Sequence, residues 1–212
     1  MAFLSDDKRL VIRQKKELME VFVNFETRNK YEIFTTQRRL VGYMAEMGKG
    51  VGETLIRMFL GSHRPLNIQV FDPERRLILT LDRPFYWFFS TMTVVGADGR
   101  KVGEIHKRFA WFRKMYDLHD PSGRIFARIR SNILSLWRFP FFDAGDREVG
   151  EVTKKWGGGL KEIFTDADTF LVDMSKSNFS DDEQKVAFAA AVSVDLDYFE
   201  GNNSSGIDLV GD

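Results

Sequence analysis

Between Ile68 and Val152 apolar and polar residues alternate with a period of two, in four successive units that each break at a turn ending in arginine. Ile68–Leu81 turns through Asp72-Pro73-Glu74-Arg75 before Arg76, and Met92–Ile105 through Ala97-Asp98-Gly99 before Arg100. Met115–Ile129 turns through Asp120-Pro121-Ser122-Gly123 before Arg124, and Phe139–Val152 through Asp143-Ala144-Gly145-Asp146 before Arg147. The four arginines are 24, 24 and 23 residues apart. A period of two sends alternate side chains to one face of a sheet. Asp-Pro, Asp-Gly and Ser-Gly supply turn chemistry, because proline presets φ and glycine accepts positive φ. Each unit is therefore a predicted β-hairpin, and a weaker fifth copy spans Tyr31–Glu46, with Arg39 ahead of Leu40. Five hairpins with no helix between most of them predict an antiparallel sheet that closes on itself to remove its edges. The repeated arginines read as turn or rim residues.

The two ends of the chain break this pattern. Leu10–Phe22 offers Leu10, Val11, Leu18, Val21 and Phe22 for packing and fits a short amphipathic helix or an edge strand. Gln184–Phe199 is of opposite character: Val186–Val194 is apolar on every side and rich in alanine, a strong helix former. Asp181, Asp182 and Glu183 stand where carboxylates favour a helix start, and Ser180 fits the cap. A helix apolar all round is buried or in lipid, and this one is too short to span a bilayer. It is predicted to thread the barrel. Residues 1–200 read as one domain and Gly201–Asp212 as a flexible acidic tail.

Composition sharpens this picture at three points. With 43% hydrophobic residues and 20 Phe among 212 positions, a sizeable core is within reach and disorder of the whole chain is excluded. The absence of cysteine removes disulfides, thiolate metal sites and a thiol nucleophile together. The net charge is zero but uneven. Residues 181–212 hold eight acidic side chains against Lys185 alone, leaving a basic body that either attracts an anionic partner or forms a mixed solvated surface. The longest charge-free run, Pro84–Ala97, has 14 residues, short of the roughly 20 a spanning helix needs. Met1–Arg9 contains Asp6 and Asp7 and no long apolar run follows, so no secretory signal is read.

Several motifs in order resemble the phospholipid scramblase family. Arg13–Val21 followed by Phe25–Ile33 is similar to the start of its domain, and Arg64-Pro65-Leu66 and Leu79–Pro84 to its next strands. Val149–Phe170, with Lys154-Lys155-Trp156-Gly157 and Asp166-Ala167-Asp168, resembles it most closely. The resemblance covers roughly residues 9–200. It implies a tubby-like fold: mainly β, a closed antiparallel barrel of about twelve strands around a buried hydrophobic C-terminal helix, the architecture that periodicity also indicates. It further implies calcium-stimulated, non-selective movement of phospholipids between leaflets. Related tubby proteins bind phosphoinositide headgroups through basic surface residues. The chain departs from animal members in lacking a proline-rich N-terminal extension and cysteine clusters, so cysteine acylation is unavailable to anchor it.

Three places carry candidate chemistry. The resemblance points to Asp166 and Asp168, with Asp173 as a further carboxylate off the motif, as a weak calcium site; the family's last acidic position falls on Ser177, and a plain hairpin turn is the alternative. For lipid contact the candidates are Trp87 and Phe88, within Phe85–Phe89, and Trp111, within Phe109–Lys114, beside Arg83, Lys107, Arg108, Arg113 and Lys114. Aromatic rings beside cations suit a membrane interface. Five adjacent aromatics cannot all point outward from a strand, so packing inside the barrel or capping its end is the alternative. Lys154 and Lys155, with Lys161 around Gly157–Gly159, form a second basic candidate for a headgroup phosphate, against a plain turn.

Classical enzyme chemistry finds no motif. His63, His106 and His119 lack metal-ligand spacing, and no nucleophile elbow, dinucleotide fingerprint or HExxH is present. The function expected is peripheral binding to an anionic phospholipid surface, with calcium as a weak cofactor and lipid redistribution as the activity, in the cytoplasm or on the inner face of the plasma membrane. A soluble cytoplasmic adaptor or ligand-binding module is the rival. No nucleic-acid partner is expected, because no recognised motif accompanies the basic charge.

Overall fold

The computed structural model describes residues 8–15, 27–48, 63–109, 111, 113–132, 134–135, 137–154 and 169–198. Here the alternating segments become twelve strands: β1 (Arg9–Lys15), β2 (Thr27–Thr35), β3 (Leu40–Met47), β4 (Leu66–Phe71), β5 (Leu77–Arg83) and β6 (Thr91–Gly96). They continue through β7 (Lys101–Arg108), β8 (Arg113–His119), β9 (Ile125–Asn132), β10 (Arg138–Asp143), β11 (Glu148–Thr153) and β12 (Thr169–Asp173). Each strand pairs antiparallel with its neighbours in sequence. β1 pairs with both β2 and β12, Leu10 lying opposite Thr35 and Val172, which closes the barrel. Closure leaves no unpaired edge to satisfy. Leu10–Phe22 thus begins as the closing strand; its residues 16–22, like the acidic tail 201–212, lie outside the described residues.

The five-fold repeat is a repeated turn. In each hairpin the residue before the arginine has positive φ: Arg38 (65°), Arg75 (65°), Gly99 (77°), Gly123 (86°) and Asp146 (65°). Thr35, Asp72, Gly96, Asp120 and Asp143 each donate their N–H to the carbonyl of the following arginine, at 2.8–3.0 Å. Their own carbonyls accept the N–H of the positive-φ residue at 2.9–3.1 Å. Each pairing register shifts by one residue beside the turn, as at Val70/Phe71 and Leu118/His119. This is the three-residue hairpin in which a left-handed residue forms a bulge. Glycine takes that position at no steric cost in two hairpins, whereas Arg38, Arg75 and Asp146 are held there by the turn around them. The weaker fifth copy is thus a full copy, with Thr35 Oγ1 standing in for the aspartate and accepting from Arg39 N at 3.2 Å.

Inward-pointing residues from all twelve strands, among them Ile12, Ile33, Met44, Ile68, Leu81, Val94, Ile105, Tyr116, Ile129, Phe141, Val152 and Val172, share one core with helix α1 (Asp181–Tyr198). Val186–Leu196 of this helix is buried throughout, as a segment without a polar face requires. Ser180 caps it reciprocally: its Oγ accepts from Glu183 N at 3.3 Å and its N–H donates to Glu183 Oε2 at 2.8 Å. The helix lies nearest β6, β7 and β8. Gly103 on β7 makes this approach possible, since a Cβ there would press on the His119 carbonyl oxygen and lie 2.6 Å from Val186 Cγ2.

Candidate functional site

Antiparallel pairing of sequence neighbours sends successive connections to alternate ends of the barrel. The five arginine-closed turns occupy one end, with the N-terminus of α1. The connections β5–β6, β7–β8 and β9–β10 occupy the other, with the C-terminus of α1. The exposed large apolar side chains sort the same way. Trp87 (74% exposed), Phe88 (83%), Trp111 (78%) and Leu134 (84%), together with Phe89, Phe109 and Trp137, all sit on those three connections; among the described residues only Leu77 lies elsewhere. Phe89, Phe109 and Trp111 touch edge to face at 6.3 and 5.3 Å, joining the first two connections into one patch. A contiguous apolar patch of this kind marks a surface for a partner or a membrane.

The loop chemistry explains why these rings face out. Phe85–Phe89 is not strand, so the alternation that would turn half of its rings inward does not apply. Phe85 and Tyr86 are half-buried, Tyr86 stacking on His63 at 4.8 Å and lying under the Arg83 guanidinium at 5.2 Å. Trp87, Phe88 and Phe89 are left exposed. Packed and outward-facing rings are therefore both present within this one segment.

Beneath the rim the barrel mouth is charged. Asp197, whose side chain is 1% exposed, accepts from Arg83 Nη1 at 2.9 Å and from Tyr116 OH at 2.7 Å, and pairs with Lys107 Nζ at 3.0 Å. Lys154 Nζ lies 3.1 Å from Asp195. Burial pulls the Lys107 ammonium down, but Asp197 and the tyrosines outweigh it and hold it above the ordinary lysine value. Burial, helped by Asp197, pushes the Tyr116 phenol well above its usual range. Lys114 differs. Its ammonium donates to Ser135 O at 3.0 Å and faces the rings of Tyr198 at 4.4 Å and Phe139 at 5.1 Å. Desolvation, then repulsion from Lys107, draws it below the ordinary lysine value.

The helix end explains the cations. α1 has acidic residues in its first turn, where the dipole favours them, and no basic residue in its last turn. Asp195 and Asp197 therefore stand at the negative end of the dipole, and the barrel wall supplies the compensating charge. The sequence offered Arg83 and Lys107 only as cations beside the aromatic clusters; Tyr116, Asp195 and Asp197, and the pairing that joins them, were not among its candidates. Two carboxylates near the end of an otherwise apolar helix were the available signal, because a buried carboxylate requires partners.

The remaining candidates fall as follows. Trp87, Phe88 and Trp111 share the rim with Arg108 and Arg113; Arg108 lies 3.4 Å from Asp117 on the outer wall. Arg113 lines an outer groove of about 410 Å³ with Arg130, Asn132 and Phe142. Lys114 and Lys154 point inward rather than onto the rim. Lys155, Lys161, Asp166 and Asp168 lie outside the described residues. Asp173 closes β12, four residues and about 13 Å along the strand from Thr169. Its carboxylate is taken by Ser175, accepting from the N–H at 2.8 Å and from the hydroxyl at 2.6 Å. Among the described residues, which do not include Asp166 and Asp168, no three acidic or histidine side chains cluster around a metal position. His106 and His119 do meet, ring centroids 4.2 Å apart, each with a partner, Glu104 at 3.0 Å and Gly123 O at 3.0 Å.

A family described as Scramblase matches residues 1–201. A phospholipid scramblase family protein of Schizosaccharomyces pombe is 28% identical over 90% of this chain and 59% of its own length. Altered inheritance rate of mitochondria protein 25 of Saccharomyces cerevisiae is 27% identical over 92% of this chain and 71% of its own length. Phospholipid scramblase 2 of Bos taurus is 27% identical over 80% of this chain and 61% of its own length. The chain thus spans about six-tenths of the fission-yeast and bovine relatives. No solved structure matches it.

Proposed function

Because the chain belongs to the scramblase family, we propose that it docks peripherally on phospholipid bilayers through the aromatic end of its barrel and there assists movement of phospholipids between leaflets. The observation that carries this reading is the collection of Trp87, Phe88, Phe89, Phe109, Trp111, Leu134 and Trp137 at one end. Rings of this kind enter the interfacial zone of a bilayer, and Arg113 beside them meets headgroup phosphates. The barrel wall argues for end-on contact over spanning. Its outer face carries ion pairs such as Arg13–Glu32, Lys101–Glu104 and Arg128–Asp117 where a membrane-spanning barrel carries an apolar band. No helix among the described residues is long and apolar enough to cross a membrane. The chemistry is physical transfer of a lipid, with no bond made or broken, and no step of it is routed through calcium.

Flotation with vesicles tests the reading. The wild type is expected to float with anionic vesicles at low salt and to release at high salt. Replacing Trp87, Phe88 and Trp111 together by serine is expected to abolish flotation while the fold persists. Equal flotation of the two proteins would sink the proposal. The filled interior favours a second reading, a binding module without transport activity, since helix α1 occupies the space a headgroup would cross. Binding to vesicles without redistribution of a labelled lipid would select it.

A further inference from the structure

Buried lysines are ordinarily paired, because an ammonium out of water needs compensating charge. Among the described residues of the mouth, Arg83 and Lys107 share Asp197, Lys154 has Asp195 and Arg64 has Glu46, which leaves Lys114. Lys114 is 7% exposed, and among the described residues no carboxylate lies within 4 Å of its ammonium. One carbonyl and two ring faces surround it instead. The C-terminus of α1 adds roughly half a negative charge, shared among the cations of the mouth. We propose that Lys114 receives the phosphate of a single phospholipid headgroup drawn beneath the aromatic rim, whose acyl chains stay among the rings of Phe109 and Trp111 and the Leu134 side chain. This deepens the membrane-contact reading and rests on it.

The position of Lys114 fits that ligand. It is the second residue of β8, close to the β7–β8 connection that carries Trp111, and its acceptor Ser135 follows Leu134 on the next connection at the same end. Trp111 and Leu134 are exposed on these connections, whereas the ammonium beside them is buried. A diacyl phospholipid offers a counterpart to each. Free phosphate lacks the apolar part, and a fatty acid lacks the tetrahedral phosphate oxygens. The depressed affinity of Lys114 for its proton is the mark of a cation short of negative charge, which a bound phosphate would supply.

Calorimetric titration of the full chain tests the proposal with dihexanoylphosphatidylserine below its micellar concentration, alongside inorganic phosphate and hexanoate. The wild type is expected to bind the phospholipid and neither of the other two measurably. Lys114→Met is expected to weaken binding by about tenfold or more, the usual cost of losing a charged hydrogen bond, and Lys114→Arg to retain it. Unchanged affinity in a folded Lys114→Met overturns the proposal. Equal binding of inorganic phosphate overturns the lipid assignment, and equal binding of hexanoate overturns the phosphate. Should Lys114→Met fail to fold, the ε-methylene resonance of Lys114 in the wild type, assigned from the Lys114→Arg spectrum, takes its place. A shift on adding the phospholipid supports the site, and a stationary signal overturns it. Vesicle flotation separates the two readings. Monomer binding at Lys114 without flotation removes the membrane reading alone, and flotation with no Lys114 effect on monomer binding removes this one alone.

Discussion

At the turn end of the barrel, Arg76, Arg124 and Arg147 fold back onto Asp72, Asp120 and Asp143, the residues that open their own hairpin turns four positions earlier. At the aromatic end, Arg83 and Lys107 reach inward to Asp197, which lies 114 positions from Arg83 in the chain. The first set is local and largely in water, where an ion pair contributes little and fixes mainly the shape of a turn. The second is long-range and out of water, where it fixes how far α1 is inserted in the barrel. Among the described residues, only the aromatic end joins buried charge to exposed rings. The same two side-chain types thus serve folding at one end and leave, at the other, a surface with something to bind.

The largest effect that tests this contrast is expected from Asp197→Ala. It removes the carboxylate that Arg83, Lys107 and the Tyr116 hydroxyl share, and breaking a buried pair from one side costs about 3–5 kcal/mol. Urea unfolding followed by tryptophan fluorescence measures it. Adding Lys107→Met to the Asp197→Ala protein is expected to restore part of the loss, because an apolar side chain in place of an unpaired cation removes the desolvation cost. Asp72→Ala at the turn end is expected to change stability by less than about 1 kcal/mol. A loss of the same size at both positions would dissolve the distinction between the ends.

How much of this was legible in the sequence follows from the range of the interactions. The hairpins were, because turn chemistry and period two are properties of neighbouring residues, and Asp120-Pro121-Ser122-Gly123 announces its own geometry. The buried helix was as well, since Val186–Val194 has no polar face to offer water. The cap at Ser180 needed only Glu183 three residues later. For the site, Trp87, Phe88 and Trp111 were visible as clusters, but their outward orientation depended on the segment being a loop. Leu134 and Trp137 carried no local signal and joined the rim only through barrel closure. The pairing of Arg83 with Asp197 was invisible for the same reason, as nothing in either neighbourhood names a partner so distant.

A smaller effect is expected where the helix meets the turn end. Ser180→Ala removes the acceptor for Glu183 N and should cost about 1 kcal/mol. Its counterpart at the other helix end is Asp197, so the two substitutions compare the termini of one helix. Thermal unfolding of both variants should rank them, with Ser180→Ala the milder. The reverse order would mean that α1 is held by its cap and not by the mouth network.

The smallest effect concerns pH and belongs to the turn end alone. The hydrogen bond from the Ser122 hydroxyl, opposed by burial and reinforced by Arg124, lowers the Asp120 carboxyl from 3.8 to about 2. A carboxylate whose affinity for protons is lower in the folded state adds stability above its unfolded pKa and loses it as pH falls through the folded one. The contribution of Asp120 is therefore complete above about pH 4 and gone below about pH 2. Asp120→Asn keeps a side-chain acceptor but cannot ionise. Its stability deficit relative to the wild type is expected to be constant at pH 5–7, to shrink as pH falls from 4 to 2, and to flatten below that. Denaturation curves at stepped pH would read this directly. A deficit that stays constant through the acid range would show that Asp120 acts as a neutral turn former, and that its pairing with Arg124 adds nothing to the fold.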